Sequence, residues 1–112
     1  MDKTMINTEI NEIVNVILKT VPALEIYLFG SFANGTARED SDYDFYVVVP
    51  DNIQPIETTW KITGALPKRI RRNRPIDMIV GTQSKFNKYR NSLSFIERDV
   101  AEMGVKLYGQ VD

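Results

Sequence analysis

Cysteine and histidine are both absent from the 112 residues of this chain. Without cysteine the chain has no disulfide, thiol nucleophile or thiolate metal ligand, and without histidine it lacks the commonest zinc ligand and general base. An excess of one charge is absent too, because 14 Lys and Arg stand against 15 Asp and Glu. Direct nucleic-acid binding is therefore not expected, and the chemistry is left to carboxylates and hydroxyls.

Long apolar runs are also missing. The first nine residues are polar and charged and lack the apolar stretch of a signal peptide, and no window approaches the roughly 18 apolar residues of a membrane span. We therefore expect a cytoplasmic protein that does not enter a membrane. The length fits a single domain over residues 1–112, and 43% hydrophobic with 26% charged residues is typical of a folded globular protein.

Hydrophobic periodicity predicts alternating helices and strands. The predicted strands are residues 25–29, 42–49 and 75–81. The first two predicted helices are residues 6–18 and a short helix over 31–35 that is capped by Ser31. A third helix has Ile56, Trp60, Thr63 and Leu66 on one face, and Pro67 ends or kinks it. A last helix is lined by Leu93, Ile96, Val100 and Met103 and is closed by Gly104. The expected fold class is α/β (α+β), a small mixed sheet flanked by helices.

Two motifs lie close to the first two predicted strands. Gly30 and Ser31 follow the first strand, where a glycine lets the backbone approach phosphate oxygens and the serine adds a hydroxyl donor. Asp42 and Asp44 open the second strand and project on the same side of it, because side chains alternate along a strand. Paired carboxylates repel unless a cation lies between them, and all-oxygen ligands favour Mg²⁺ or Mn²⁺ over zinc.

The acidic motif has two other interpretations. Alone, Asp42 and Asp44 fit an exposed, polar strand start. With Asp40 they also occupy the first, third and fifth places of a calcium loop. That loop requires glycine at the sixth place and glutamate at the twelfth, where this chain has Phe45 and Asp51, so the calcium interpretation fails.

Asp77 is the third candidate ligand. It lies near the start of the third predicted strand among apolar neighbours, where a carboxylate needs a partner. If this strand pairs beside the second in the right register, Asp77 faces Asp42 and Asp44 and completes a three-carboxylate site. The alternative is a salt bridge from Asp77 to the nearby arginines.

These motifs resemble the minimal nucleotidyltransferases of the DNA polymerase beta-like superfamily, whose signature is Gly-Ser, about ten residues, Asp-x-Asp and a later third Asp. Here the signature is Phe29-Gly-Ser-Phe-Ala-Asn-Gly-Thr-Ala-Arg-Glu-Asp-Ser-Asp-Tyr-Asp-Phe45 with Pro75-Ile-Asp-Met-Ile79. The segment Ile96-Glu-Arg-Asp-Val-Ala-Glu-Met-Gly-Val-Lys-Leu-Tyr108 is similar to the closing helix and Gly-x-x-Leu-Tyr ending of that family. The resemblance covers nearly the whole chain.

The resemblance implies metal-dependent transfer of a nucleoside monophosphate, AMP from ATP, to a hydroxyl with release of pyrophosphate. Asp42 and Asp44 would hold the metal ions on the triphosphate, Gly30 and Ser31 would steady its terminal phosphates, and Asp77 would ligate the second metal on the acceptor side. The acceptor implied by the resemblance is a tyrosine of a helical HEPN toxin. A binding-only antitoxin with a vestigial site, and a small α/β domain with surface acids and no nucleotide chemistry, are the alternatives.

Phe32 and Asn34 occupy positions where relatives often have arginine, so phosphate affinity is expected to depend on Arg38 or on a distant basic residue. The stretch 68–74 has five basic residues in seven, and a solvated helix end and loop is as good an interpretation of it as a binding surface. Four aromatic residues are expected to pack in the core or in an interface rather than stack on bases: Trp60, Tyr89, Phe95 and Tyr108.

Overall fold

A four-stranded mixed sheet forms the centre of the fold in the computed structural model of the chain, which describes residues 2–109. Its strands are β1 (Glu25–Phe29), β2 (Tyr43–Val49), β3 (Ile76–Thr82) and β4 (Val105–Tyr108). The strand order is β3-β2-β1-β4, with β1 antiparallel to both of its neighbours and β2 parallel to β3. The predicted fold class, a small mixed sheet flanked by helices, is confirmed.

The described part of the chain forms six helices. They are α1 (Lys3–Thr20), α2 (Ser31–Asn34), α3 (Pro55–Ala65), α4 (Lys68–Asn73), α5 (Gln83–Tyr89) and α6 (Ile96–Met103). The first helix starts before the predicted residue 6 because the Asp2 carboxylate accepts hydrogen bonds from the backbone N–H groups of Thr4 and Met5, at 2.9 and 3.3 Å. The sequence pattern did not predict α5 or β4, and it left α4 as a helix end and loop.

Helices cover both faces of the sheet. On one face, α1, α3 and α4 pack against a cluster that includes Tyr43, Phe45 and Val47 of β2. On the other face, α5 and α6 pack against Tyr46 and Val48. The alternation of β2 places Asp44 on this second face. Among the helices of residues 2–109, none combines the length and apolar character needed to cross a bilayer.

The predicted face of α3 is mostly wrong, because the one buried member of that face is Leu66, which follows the helix and is 5% exposed. Ile56 and Trp60 are exposed, at 58% and 70%, whereas Ile62 is completely buried and Thr58 is 3% exposed. Burial of a threonine is tolerated because its hydroxyl donates a hydrogen bond to the Gln54 carbonyl oxygen at 2.7 Å. Trp60 is therefore not a core residue. As predicted, the helix ends before Pro67.

The predicted face of the last helix is also mostly wrong. Leu93 precedes α6 and is 82% exposed, and Ile96 and Met103 are exposed as well. The buried residues are Val100 and Glu97, whose carboxylate accepts a hydrogen bond from the Tyr46 hydroxyl at 2.7 Å. Gly104 does follow the helix, but at φ −75° it does not use the left-handed region. A side chain is excluded there because a Cβ atom would lie 2.5 Å from the Val100 carbonyl oxygen.

Candidate active site

The predicted site residues lie at one edge of the sheet, where β1 ends and β2 and β3 begin. In the strand register, Phe29 lies opposite Asp44, and Asp44 lies opposite Asp77 on the parallel neighbour. Gly30 directly follows β1, and Asp42 directly precedes β2. The strand β2 therefore begins one residue later than predicted, at Tyr43 instead of Asp42. The register required for Asp77 to face Asp44 is therefore confirmed.

Asp44 has an unusual electrostatic environment. Its carboxyl is half-buried, and burial raises its pKa from 3.8 to about 6, helped by a hydrogen bond with Asp77 and by the negative charges of Asp77 and Asp42. A carboxylate in this position is costly to ionise unless a positive charge accompanies it. Asp42 and Asp77, the other two acids predicted from the sequence, thus both act on Asp44 at this edge.

Gly30 lies directly against the Asp44 carboxyl. Its backbone has φ 72° and ψ −152°, a conformation that glycine alone adopts readily. An added Cβ atom would overlap a carboxylate oxygen of Asp44 and lie 3.2 Å from its Cγ. The N-cap of α2 is Gly30, without a side-chain cap, so the prediction that Ser31 caps this helix is wrong. Ser31 is the first helical residue, and its contact with phosphate stays a prediction.

The residues at this edge suit a hard divalent cation in their donor type, since they offer carboxylate oxygens alone. Within residues 2–109, however, no three acidic side chains stand close enough together to form a complete metal site. This absence is compatible with the effect of Asp42 and Asp77 on the pKa of Asp44, because charges repel one another over longer distances than the radius of a metal coordination sphere. Joint coordination by Asp42, Asp44 and Asp77 therefore stays a prediction.

The alternative role of Asp77, a salt bridge to the nearby arginines, finds no support in the described part of the chain. Arg69 pairs with Glu12, and the Arg71 guanidinium donates to the Thr63 carbonyl oxygen at 3.4 Å. None of the ion pairs between described residues includes Asp77. Its carboxyl is exposed to solvent.

Arg38 lies on the exposed connection between α2 and β2. Its backbone N–H donates to Ser41 Oγ at 2.7 Å, and its carbonyl oxygen accepts a hydrogen bond from Arg74 at 3.2 Å. These contacts involve the backbone, and among the described residues the Arg38 side chain forms no ion pair with Asp44. A role of Arg38 in nucleotide binding stays a prediction.

Arg74 was missed by the sequence interpretation, which left the basic stretch open between a solvated helix end and loop and a binding surface. Its Nη1 atom donates to the Arg38, Glu39 and Ser41 carbonyl oxygens, at 3.2, 2.9 and 2.6 Å. Its guanidinium also lies over the rings of two site-edge aromatics, Phe32 and Tyr43. Charge composition could not reveal this residue, since four other basic residues surround it in the sequence.

Tyr46 and Glu97 form a second feature that the sequence did not reveal, behind Asp44 on the same face. Burial raises the pKa of the Tyr46 hydroxyl, and its hydrogen bond to Glu97 raises it further, so the hydroxyl remains a donor. Lys85 Nζ lies 3.8 Å from the Glu97 carboxylate. The pair fixes α6 to the strand that presents Asp44.

The remaining aromatic residues lie away from the acidic edge or at the surface. Tyr89 and Phe95 stack with ring centroids 4.0 Å apart, and Phe95 is 42% exposed. Tyr108 is 43% exposed and pairs with Ile26, at the end of β1 opposite to Gly30. None of these three residues belongs to the buried core. Their packing in an interface stays a prediction.

The nucleotidyltransferase domain family matches residues 10–106, and the chain belongs to that family. Its relatives include the protein adenylyltransferase MntA of Shewanella oneidensis, which is 26% identical over 100 residues. The match covers 88% of this chain and 64% of MntA, so the chain spans less than two thirds of that relative.

Solved structures show the same fold. A toxin-antitoxin complex crystallised with AMP-PNP contains a chain with a TM-score of 0.65 and 24% identity, covering 89% of this chain and 73% of its own length. The tri-AMPylated HEPN toxin of Shewanella oneidensis in complex with MNT antitoxin gives a TM-score of 0.59 and 20% identity, over 93% of this chain and 72% of the matched chain. At these identities the likeness concerns the fold.

Proposed function

We propose that the chain is a metal-dependent nucleotidyltransferase that transfers AMP from ATP to a protein hydroxyl and releases pyrophosphate. The principal observation in support is the strand register, which sets Asp44 directly beside Asp77 with Gly30 closed against the Asp44 carboxyl. This arrangement places two acidic side chains and a close backbone approach at one edge of the sheet. Membership of the nucleotidyltransferase domain family supports the reaction class.

In the proposed mechanism, Asp42 and Asp44 would hold divalent cations on the triphosphate side, and Asp77 would ligate a cation on the acceptor side. Bound there, Mg²⁺ or Mn²⁺ would neutralise the carboxylates and polarise the phosphate oxygens. Gly30 and Ser31 steady the terminal phosphates, with Arg38 as a further candidate contact. The Asp77 carboxylate takes the proton from the acceptor hydroxyl, whose oxygen bonds to the α-phosphorus as the bond to the leaving pyrophosphate breaks.

The proposed substrates are ATP and a tyrosine of a HEPN toxin. The name of the Shewanella oneidensis relative, protein adenylyltransferase, supports AMP as the transferred group. Related structures contain AMP-PNP in one case and an AMPylated HEPN toxin in another, which supports this nucleotide and this class of partner. The cytoplasmic location expected from the sequence stays a prediction.

The test uses the full chain, Mg²⁺, ATP labelled at the α-phosphate, and a helical HEPN toxin as the acceptor. Label is expected to move to the partner with the wild-type chain and to fall by a factor of about 10²–10⁴ with Asp77→Asn, as expected for loss of a general base. Nucleotide binding should be retained in that variant. Asp40→Asn, an exposed acid of the neighbouring connection, is the matched control and should transfer normally.

Unchanged transfer by Asp77→Asn would refute its assigned role. A tight complex without label transfer by the wild-type chain would instead identify a binding-only antitoxin. Absence of Mg²⁺-dependent ATP binding would exclude nucleotide chemistry altogether.

A further inference from the structure

We infer that Arg74 is a positioning residue that holds the segment leading into Asp42 against the start of β3. The inference rests on the proposed function, because it concerns the placement of a proposed metal ligand. It assigns to one member of the basic stretch a role that neither its charge nor its sequence neighbours indicate.

The contacts of Arg74 are concentrated on one short segment. A single nitrogen, Nη1, donates to three backbone carbonyl oxygens, those of Arg38 at 3.2 Å, Glu39 at 2.9 Å and Ser41 at 2.6 Å. The last of these residues directly precedes Asp42. The guanidinium therefore binds the backbone of the segment rather than a carboxylate.

Two aromatic rings complete the environment of the guanidinium. Its Cζ lies 4.8 Å from the centroid of the Phe32 ring and 5.3 Å from that of Tyr43, and the two rings lie 4.7 Å apart. Phe32 follows the Gly30-Ser31 turn and Tyr43 follows Asp42. Arg74 thus contacts both flanks of the connection as well as its middle.

The connection needs an external support because it has little of its own. Residues 38–40 are exposed and belong to neither helix nor strand, and the backbone hydrogen bond within them is that from Ser41 N–H to the Arg38 carbonyl oxygen at 3.0 Å. The residue that follows Arg74 also contacts this region: the Pro75 carbonyl oxygen accepts a hydrogen bond from the Tyr43 N–H at 3.0 Å. The start of β3 therefore supports the segment around Asp42 and, two residues further on, presents Asp77.

This geometry separates positioning from phosphate binding. The Nη1 atom of Arg74 already donates to three carbonyl oxygens, and the guanidinium Cζ lies 4.8 and 5.3 Å from the centroids of two aromatic rings. A cation so engaged acts on the nucleotide through the acids that it positions. Loss of Arg74 should consequently alter the structure of the segment that leads into Asp42 more than it alters direct contacts with the nucleotide.

The test compares Arg74→Met, which keeps an unbranched side chain but removes the guanidinium, with Arg72→Met, which makes the same change at an exposed residue of α4. Amide hydrogen exchange of residues 38–42, Mn²⁺ binding followed by electron paramagnetic resonance with ATP present, and the transfer kinetics are measured. In Arg74→Met, exchange is expected to rise and Mn²⁺ affinity to fall by about tenfold or more each, since charge-assisted hydrogen bonds are lost. In the transfer reaction, the factor by which kcat falls should be larger than the factor by which the KM for ATP rises.

Arg74→Lys keeps the charge and one donor group, so it should recover part of each loss and also serves if the methionine variant does not fold. Equal exchange and equal Mn²⁺ affinity in Arg74→Met and Arg72→Met would overturn the inference. A rise in KM for ATP with unchanged exchange would also overturn it, in favour of direct phosphate contact. Lack of transfer by the wild-type chain would refute the proposed function alone, because exchange still reports on the segment.

Discussion

Replacement of Asp44 by asparagine should stabilise the fold at neutral pH even though it removes a proposed metal ligand. The carboxyl is half-buried beside Asp77, and its pKa is raised from 3.8 to about 6, first by burial and then by its acidic neighbours. Because the folded-state pKa is the higher one, the folded protein binds this proton more tightly than the unfolded chain does. The associated stability is complete below about pH 3.8 and is lost as the pH rises through 6.

The size of the effect follows from the shift. The difference between 6 and 3.8 is 2.2, and each pKa unit corresponds to about 1.4 kcal/mol, which gives about 3 kcal/mol. The carboxyl retains solvent contact, and screening reduces this to roughly 1–2 kcal/mol. The free energy of unfolding of Asp44→Asn minus that of the wild-type chain should therefore be larger at pH 8 than at pH 4, by roughly 1–2 kcal/mol.

Urea denaturation at several pH values between 4 and 8, with EDTA present, measures this difference. Asp40→Asn removes an exposed carboxylate of the same acidic stretch and should change stability by at most about 0.5 kcal/mol. Addition of Mg²⁺ should stabilise the wild-type chain at pH 8, by about 2.7 kcal/mol at a hundredfold excess over Kd, and should stabilise Asp44→Asn less. A difference that stays constant from pH 4 to 8 would refute the electrostatic reasoning.

Four further substitutions test the geometry through the free energy of unfolding measured in urea. Gly30→Ala should cost about 1–3 kcal/mol, because its φ of 72° is strained for alanine and the Cβ would collide with the neighbouring carboxyl; a neutral effect would contradict this. Tyr46→Phe should cost about 1–3 kcal/mol by leaving the buried Glu97 without its hydroxyl donor, and no loss would show that another donor replaces it. Ile62→Ala should cost about 2–5 kcal/mol and Trp60→Ala at most about 0.5, and the reverse order would restore the face first predicted for that helix.

The first three strands and the acidic edge were predictable because local patterns determine them. Strand β2 alternates Tyr43, Phe45 and Val47 with a second set of side chains, and its aromatic and β-branched residues leave little choice of structure. Asp77 among apolar residues indicated a carboxylate with a partner, and the register supplies Asp44 as that partner. Such signals need no knowledge of distant packing.

The errors concern features that tertiary packing decides. Glu97 is buried because a hydroxyl 51 residues away in sequence donates to it, and no periodicity reveals such a pair. Helix α4 contains one buried residue, Ile70, and β4 is a four-residue edge strand, so neither gives a clear hydrophobic pattern. The role of Arg74 depends on the path of a connection more than 30 residues earlier.

Burial along the second face of the sheet explains why the acids lie at an accessible edge. On β2, Tyr46 is fully buried beneath α5 and α6, whereas Asp44, two residues earlier on the same face, is half-buried. On β3 the same gradient runs from the buried Gly81 to the exposed Asp77. The two helices therefore exclude water from the middle of the face and leave its acidic end open. A substrate can reach these acids from solvent, while the covered part of the same strands holds them in register.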